Sequence, residues 1–297
     1  MIKVTLKDGS VKEVEVGSSL LELAKQISEG LARIAMAGMV DGEVKDLRYQ
    51  LEKDCNVSIL TFDDEAGKKA YWHTTSHILA QAVKRLFPNT KLGIGPAIEN
   101  GFYYDFKVEK PFSEEDIKKI EEEMKKIIKE DIAIERFRLS RQDAINFMKE
   151  RNENYKIELI EELPDNEEIS FYKQGDFTDL CAGPHLESTG KVKAIKLLST
   201  SAAYWKGNQE NDSMQRIYGI SYPKASQLEE YITMLEEAKK RDHRKIGKEL
   251  DLFFFDETAP GMAYWMPKGF KMMNILMELW RKEHEKRGYL EFSGPQL

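Results

Sequence analysis

Residues 2–16 of this 297-residue chain read IKVTLKDGSVKEVEV and set the fold of its N-terminal part. Apolar and polar residues alternate over residues 2–6, and valines recur over residues 11–16. Asp8 and Gly9 lie between the two runs, and Asp-Gly is a preferred pair for a tight hairpin turn. The stretch therefore predicts two antiparallel strands.

The residues that follow predict a small mixed domain. Ser19 and Glu22 have the spacing of a capping box, which begins a helix. Further strands are expected over residues 34–40 and 56–60, where apolar residues cluster next to turn-forming residues. The order strand, strand, helix, strand, strand, together with VDGEVKDL at residues 40–47, resembles the ubiquitin-like β-grasp fold of the TGS domain.

The remainder of the chain mixes helices and strands, which makes the fold class α+β. Apolar residues at helical spacing predict a helix over residues 70–87, and Pro88 ends it. Residues 169–218 are rich in strand-forming residues. Helices are also predicted over residues 113–129, 140–152, 224–244 and 272–287, and strands over residues 102–106 and 289–297, the last broken by Pro295.

Composition argues against several classes of protein. The sequence has no run of about eighteen apolar residues, which a membrane span requires, and MIKVTLKDGS lacks the pattern of a signal peptide. Cys55 and Cys181 are the only cysteines, so we expect a cytoplasmic protein without a disulfide framework. The net charge of −7 argues against a general nucleic-acid coat, which needs an excess of Lys and Arg.

Two pairs of His and Cys residues are the strongest indication of chemistry. Three of the five histidines fall in the patterns His73-x-x-x-His77 and Cys181-x-x-x-His185. His73 and His77 are one turn apart on the predicted helix, so their rings project from one face. Gly183 disfavours a helix in the second pair, so we expect a loop that folds toward the first pair.

The residue types alone leave several interpretations open. The cluster can bind zinc through two or three histidines and one cysteine. It can instead hydrolyse an ester without a metal, with histidine as general base. Lys156 would then stabilise negative charge and Asp179 would orient a histidine. Cys181 can also be a nucleophile. The alternative is that these residues have no catalytic or metal-binding role and are a buried cysteine and hydrogen-bonded histidines of the core.

Six stretches of the chain resemble bacterial-type threonyl-tRNA synthetases in their order and spacing, and the resemblance covers the whole chain. Free-standing alanyl-tRNA editing proteins share the two His/Cys pairs but are not similar in the TGS region or in the last of these stretches. The stretches are HTTSHILAQAVKRLFP (73–88), IGPAIENGFYYDF (94–106), GDFTDLCAGPHLEST (175–189), AAYWKGN (202–208), MQRIYGISY (214–222) and RDHRKIGKELDLF (241–253).

The resemblance implies three parts. A TGS domain is expected over residues 1–62 and an α+β editing domain over residues 63–225. A linker helix over residues 226–242 then leads to the start of a class II catalytic domain at residues 243–297. The ATP-binding motifs and the zinc ligands of that domain are not in the sequence, so we expect a truncated chain.

The resemblance also implies partners and cofactors. Full-length members of the family charge tRNA(Thr) with threonine, use ATP, Mg²⁺ and a zinc ion, and form homodimers. None of these cofactors is expected in this fragment, and no membrane is expected as a partner. The editing domain of the family hydrolyses seryl-tRNA(Thr), the product of mischarging.

The functional positions of the family's editing site can be placed on this sequence. No catalytic metal is expected there; if one binds, its ligands are the four residues of the two His/Cys pairs. The commoner C-R-G sequence is Cys181-Ala182-Gly183 here, so a contact made by that arginine is absent. The matching positions are His73, His77, Lys156, Asp179, Cys181 and His185, with Gly95 and Tyr104 expected to line the pocket.

A role follows for each of these residues as a hypothesis. His73 and Lys156 activate or position a water molecule. Asp179 and His185 hold the amine and the ribose of the substrate, and Cys181 forms a wall of the pocket. Two rival interpretations stay open: a zinc-dependent aminoacyl-tRNA deacylase that acts in trans, and a tRNA-binding module without catalytic activity.

Overall fold

The hairpin predicted from residues 2–16 forms in the computed structural model, which describes residues 1–165 and 167–294. Strands β1 (Ile2–Leu6) and β2 (Val11–Val14) pair antiparallel, with Ile2 opposite Val14. Gly9 has a φ of +82°, in the left-handed region that such a turn requires. The alternation identified the buried face of β1, where Ile2 and Val4 pack inward, but in the second run only Val14 is buried, while Val11 and Val16 are exposed.

The rest of the N-terminal domain is a small mixed sheet with helices. Its elements are β3 (Ser18–Ser19), α1 (Leu20–Ile27), α2 (Glu29–Ile34), β4 (Ala37–Val40), β5 (Glu43–Lys45), β6 (Gln50–Leu51) and β7 (Cys55–Leu60). The strand order is β2-β1-β7-β4-β5, and β1 and β7 are parallel. Ser19 and Glu22 form the predicted capping box at the start of α1. These elements confirm the expected α+β organisation of the domain.

The strand predicted over residues 34–40 is shorter than expected. The side chain of Ser28 accepts a hydrogen bond from the Leu31 amide and begins α2, a helix that the sequence analysis missed. Because Ile34 still belongs to that helix, the strand starts only at Ala37. The prediction was therefore wrong for the first three residues of the range.

Helix α3 (Glu65–Leu86) begins five residues before the predicted start and carries His73 and His77. Its first turn packs directly on the N-terminal sheet. A side chain at Gly67 would place its Cβ 2.0 Å from the Thr61 carbonyl oxygen, and Ala70 belongs to a buried cluster with Ala37 and Leu60. The N-terminal domain thus fixes the position of this helix.

Two further sheets surround α3. The elements are β8 (Lys91–Leu92), β9 (Ala97–Ile98), β10 (Gly101–Lys107), α4 (Glu114–Glu130), β11 (Ile134–Arg138), α5 (Arg141–Glu150), α6 (Asn154–Glu162), β12 (Ser170–Gln174), β13 (Phe177–Leu180), β14 (Ala194–Tyr204) and β15 (Ser213–Tyr222). One sheet has the order β14-β15-β10-β8, with β9 paired to β10, and the other has the order β11-β12-β13. The helices predicted over residues 113–129 and 140–152 form as α4 and α5, with Ser113 and Ser140 as their N-caps, whereas α6 was missed.

Residues Met1–Leu228 form one compact unit, and the described residues from Glu229 onward form a second. The domain boundaries drawn from the resemblance stay predictions. The last elements are α7 (Ala225–Lys240), α8 (His243–Glu249), β16 (Phe253–Phe255), β17 (Ala263–Trp265) and α9 (Pro267–Glu285). None of the helices in the described part of the chain is both long and apolar enough to cross a membrane.

Three predictions near the C-terminus need correction. The helix expected over residues 224–244 ends at Lys240, because Asp242 accepts a hydrogen bond from the Arg244 amide and begins α8. The last helix begins at Pro267, since proline is favoured in the first helical turn. Residues 289–294 do not form the expected strand, as they pair with no strand among the described residues. Residues 295–297 lie outside the described residues.

Candidate active site

The two predicted pairs of His and Cys residues meet in one cluster. His73 and His77 project from α3, and Cys181 and His185 lie on the loop that follows β13. The Sγ atom of Cys181 lies 3.3 Å from Nε2 of His73 and 3.2 Å from Nε2 of His185. One ligand atom from each of the four residues lies within 4.8 Å of the others. The structure therefore brings together all four residues that the spacing singled out.

A tight loop holds Cys181 and His185 side by side. Gly183 has a φ of +80°, and its amide donates a hydrogen bond to the Cys181 Sγ atom at 3.3 Å. A Cβ atom at Gly183 would lie 2.1 Å from the hydroxyl oxygen of Tyr172. Both the backbone conformation and the available space require glycine at this position. The loop predicted from Gly183 is confirmed.

A buried ion pair lies beside the histidines. The Nζ atom of Lys156, on α6, lies 2.6 Å from Oδ1 of Asp179, on β13. The hydroxyl of Tyr104 donates to the other carboxylate oxygen at 2.6 Å, and Nζ of Lys156 donates to that hydroxyl at 3.1 Å. Nε2 of His77 lies 3.7 Å from Oδ2 of Asp179. Asp179 therefore joins the ammonium group to the imidazole cluster.

The surroundings of Asp179 bear on its expected contact with the substrate amine. Its side chain is only 2% exposed, and its two oxygens already interact with Lys156 and Tyr104. This geometry favours a role in holding Lys156 and His77 over direct contact with the substrate. His73 and Cys181 are half-buried, whereas His77 and His185 are buried, so the cluster is reached from the side of the first two residues.

Burial sets the protonation states of the cluster. It lowers the pKa of His73 to about 4 and that of His77 to about 3, and it lowers the pKa of His185 well below its ordinary value. Burial also raises the pKa of the Cys181 thiol to about 12. All three imidazoles are therefore neutral at pH 7, and the thiol keeps its proton.

The pKa of Asp179 reflects two opposing influences. Burial by itself raises the pKa of this carboxyl group, but the charge of Lys156, together with His77 and two hydrogen bonds, lowers it below the ordinary value. The carboxylate is therefore ionised at neutral pH. Lys156 and Asp179 consequently place a fixed positive and a fixed negative charge next to neutral imidazoles.

Hydrogen bonds around Thr74 indicate which nitrogen of His185 carries its proton. The Thr74 hydroxyl donates to the Ala70 carbonyl at 2.9 Å and accepts from the Leu186 amide at 2.9 Å. Because the hydroxyl has only one proton and donates it to Ala70, Nδ1 of His185 must be the donor to the Thr74 oxygen, which lies 3.3 Å away. Nε2 is left with its lone pair facing the Cys181 sulfur.

Gly95 and Tyr104 lie next to elements that carry the site, and the expectation that they line a substrate pocket stays a prediction. A Cβ atom at Gly95 would lie 2.1 Å from Cδ2 of the Tyr104 ring, which is fully buried. The Gly95 carbonyl accepts a hydrogen bond from Ser76, on the same turn of α3 as His77, at 2.6 Å. The backbone at Gly95 thus packs against Tyr104 and is hydrogen-bonded to the helix that carries His73 and His77.

The four clustered residues also fit a zinc ion. Imidazole nitrogen and cysteine sulfur are both zinc ligands, and tetrahedral coordination places a nitrogen and a sulfur ligand about 3.5 Å apart. The two measured distances to the Cys181 sulfur, 3.3 and 3.2 Å, are close to that value. Nδ1 of His77 is buried and has no hydrogen-bond partner within residues 1–165 and 167–294. The expectation that no metal binds stays untested.

Tyr172 is the main residue of the site that sequence reasoning missed. It lies directly opposite Asp179 across β12 and β13, and its ring centroid is 4.4 Å from that of His185. Gly175 and Asp176 form the turn between these strands, and a two-residue turn pairs Tyr172 with Asp179 by counting outward. The register of this hairpin, predicted from its turn, would therefore have placed Tyr172 next to Asp179.

Two protein-family models match the chain. One, described as the TGS domain, matches residues 2–61. The other, described as the threonyl and alanyl tRNA synthetase second additional domain, matches residues 169–218. The second match includes Asp179, Cys181 and His185 but not the two histidines of α3.

Curated relatives match almost the full chain. A threonine–tRNA ligase of Acetivibrio thermocellus is 66% identical over 295 residues, which are 99% of this chain and 46% of the relative. Those of Caldanaerobacter subterraneus and Clostridium botulinum are 62% identical over 292 residues and 59% identical over 297 residues, covering 45% and 47% of the relatives. The chain spans about half the length of the curated relatives it matches. These matches and the two family models show that the chain belongs to the threonyl-tRNA synthetase family, as an N-terminal part with a TGS domain and an editing domain.

Proposed function

We propose that this chain hydrolyses the ester of mischarged seryl-tRNA(Thr). One observation carries the proposal: three imidazoles that burial keeps neutral lie in one cluster, and Asp179 connects one of them, His77, to the ammonium group of Lys156. A neutral imidazole accepts a hydrogen bond from water, and an ammonium group stabilises the negative charge that develops on an ester carbonyl. Because the chain belongs to a family of tRNA ligases, we take the ester of an aminoacyl-tRNA as the substrate.

Serine is the expected amino acid because it is the smaller competitor. A threonine pocket gains only about 1–3 kcal/mol from the one methyl group that serine lacks, so misactivation of serine is expected. A second site that admits serine and excludes the threonine methyl group corrects the error. Gly95 packs closely against Tyr104, and this supports a rigid pocket wall that would exclude the extra methyl group of threonine.

We propose the following division of roles. His73, half-buried and neutral, orients the attacking water and accepts its hydrogen bond. Water oxygen bonds to the carbonyl carbon, the bond to the ribose oxygen breaks, and a proton passes to that oxygen, which releases serine and tRNA. The buried charge of Lys156 stabilises the intermediate oxyanion through its electric field and not through direct contact, and Asp179 holds Lys156 in place. His185 contacts the ribose, and Cys181 forms a wall.

A zinc-dependent deacylase is the second candidate, and the donor set of the cluster favours it. His73, His77, Cys181 and His185 would hold the ion. A bound zinc ion would polarise the ester carbonyl or lower the pKa of a bound water molecule, which would bind as a fifth ligand or in place of one of the four residues. The contributions of Lys156, Asp179 and Tyr104 would be the same in either case, because these residues lie outside the donor set.

The decisive experiment compares the hydrolysis of seryl-tRNA(Thr) and threonyl-tRNA(Thr) by the purified chain, with and without a chelator, alongside metal analysis. We expect rapid loss of the seryl ester, slow loss of the threonyl ester and no effect of the chelator. Activity that disappears with the chelator and returns with zinc would establish the second candidate. A chain that binds tRNA without accelerating the loss of either ester would refute both.

The activity of the full-length protein is a separate proposal. We propose that it charges tRNA(Thr) with threonine in the cytoplasm as a homodimer, using ATP, Mg²⁺ and zinc. Aminoacylation by the full-length protein, with none by this chain, is the expected result.

A further inference from the structure

Two side chains of the N-terminal domain reach the loop that carries His185. Asp46 accepts a hydrogen bond from the Tyr172 hydroxyl at 2.9 Å, and Arg48 donates to the Leu186 carbonyl at 2.5 Å. Asp46 is 8% exposed, so this contact is buried. The Arg48 amide also donates to the Asp46 carboxylate at 3.0 Å, which fixes the two residues relative to each other.

The contact of Asp46 acts on the site through an aromatic ring. Tyr172 packs its ring against the His185 imidazole, with centroids 4.4 Å apart, and its hydroxyl fills the space beside Gly183. Because the ring touches the active-site loop at both positions, the direction of its hydroxyl determines where the loop lies. Asp46 is the hydrogen-bond acceptor that sets this direction.

The contact of Arg48 acts on the site through the backbone. Leu186 follows His185 directly, and both of its peptide groups are held: its amide by Thr74 and its carbonyl by Arg48. Thr74 is also the acceptor for Nδ1 of His185. The orientation of the His185 imidazole therefore depends on two sets of hydrogen bonds, one from Thr74 on α3 and one from Arg48 in the N-terminal domain.

We propose that Asp46 and Arg48 are positioning residues for ester hydrolysis, and that the TGS domain forms one wall of the editing site through them. The proposal rests on the proposed function. The N-terminal sheet also packs on α3 at Ala70, whose carbonyl accepts the hydrogen bond of Thr74. The domain thus holds both elements that carry the His/Cys cluster, and the hydrolytic site is complete only in its presence.

The test uses variants that remove single hydrogen bonds in the full chain. Tyr172→Phe removes only the hydroxyl, Asp46→Leu removes its acceptor, and Asp46→Asn keeps an acceptor. We expect the first two to lower kcat for seryl-tRNA(Thr) by about tenfold or more with little change in KM, as for other supports of a catalytic group. Asp46→Asn should recover most of the rate, and the variant with both Tyr172→Phe and Asp46→Leu should lose no more than either single variant.

Arg48→Met is the corresponding variant for the backbone clamp, since methionine keeps most of the apolar length but donates no hydrogen bond. Its kcat should fall by a similar factor. Arg33→Met and Glu43→Gln are matched controls on the exposed surface of the same domain and should keep the wild-type rate. Rates are expressed per folded molecule, from urea unfolding of each variant. Wild-type rates per folded molecule for Asp46→Leu and Arg48→Met would overturn the proposal.

The ¹⁵N signals of the His185 ring provide a readout that does not depend on activity. We expect them to shift in Arg48→Met and Tyr172→Phe and to stay unchanged in Arg33→Met. An inactive wild-type chain would refute the proposed function, and the His185 signals would still decide whether the N-terminal domain positions this ring. Unchanged signals in Arg48→Met and Tyr172→Phe would refute the positioning role even if the wild-type chain is active.

Discussion

Lys156 and Asp179 form an ion pair in which the Nζ and Oδ1 atoms are 2.6 Å apart and the side chains are only 3% and 2% exposed. A pair of this kind contributes less to stability than its short distance suggests, because both charges have lost their hydration. Its importance lies in holding a charged ammonium group next to neutral imidazoles. Catalysis of ester hydrolysis needs such a preorganised charge.

Replacement of Lys156 with methionine should therefore affect both stability and activity. The Asp179 carboxylate would stay buried without its partner, which costs about 3–5 kcal/mol of unfolding free energy. Urea unfolding measures this loss, and hydrolysis of seryl-tRNA(Thr) should become undetectable. Lys69→Met is the control, because the Lys69–Glu65 pair is more than half exposed and such pairs contribute at most about 1 kcal/mol.

A double variant separates the two effects. Lys156→Met combined with Asp179→Leu removes both charges, so most of the stability should return while the activity does not. Recovery of hydrolysis in the double variant would show that the ion pair only supports the fold. Failure of the stability to return would show that the cost comes from packing and not from an unpaired charge.

Residue spacing predicted the cluster, whereas its charged neighbours Lys156 and Asp179 were expected in the site only from the family resemblance, and the reason is physical. His73 and His77 follow from helical spacing, and the loop of Cys181 and His185 follows from Gly183. These are local constraints. Lys156 lies on α6, a helix that the sequence analysis missed, and its contact with Asp179 depends on how α6 packs against β13.

Contacts between domains are harder still to predict. Asp46 lies in the N-terminal domain, 126 residues before Tyr172, and no local pattern indicates that they form a hydrogen bond. The elements of the fold were largely predicted, since alternation, capping boxes and proline positions are local signals. The strand expected over residues 289–297 was wrong in its described part, residues 289–294, because a strand depends on a partner elsewhere in the fold.

The pKa of His77 predicts a dependence of stability on pH. Burial lowers this pKa from 6.5 to about 3, so the unfolded chain binds a proton over a range in which the folded chain does not. The unfolding free energy should be constant above about pH 6.5 and fall below it, by about 2–3 kcal/mol at pH 4.5 from this residue. Urea unfolding at several pH values, followed by the indole NMR signals of Trp72 and Trp205, tests this.

His77→Gln should remove part of this slope, because glutamine does not titrate. His243→Gln is the control, since its side chain is 85% exposed and no effect on the slope is expected. An unchanged slope in His77→Gln would mean that His77 is protonated equally in the folded and unfolded chains. That result would contradict a neutral, buried imidazole at the site.

Gly95→Ala should damage the pocket by steric overlap. The new Cβ atom would lie 2.1 Å from a carbon of the Tyr104 ring, which is fully buried and bound to Asp179. We expect a loss of about 1–3 kcal/mol in unfolding free energy and at least a tenfold lower rate of hydrolysis. Gly30→Ala is the control, because its Cβ would meet only Ser28 at 3.8 Å in a helix, where alanine is favoured. Equal behaviour of the two variants would contradict the packing described for Gly95.

Cys181→Ala should distinguish a wall from a nucleophile. Burial raises the pKa of this thiol to about 12, so almost none of it is the reactive thiolate at pH 7.5. We expect hydrolysis of seryl-tRNA(Thr) to stay within about tenfold of the wild-type rate, whereas loss of a proton-transferring residue costs about 10²–10⁴-fold. His73→Ala is the comparison and should show the larger loss. Mass spectrometry of the wild-type chain, quenched with acid during turnover, should find no serine attached to the protein. A seryl group on Cys181, together with an inactive Cys181→Ala variant, would assign the attack to the sulfur and His73 to its activation.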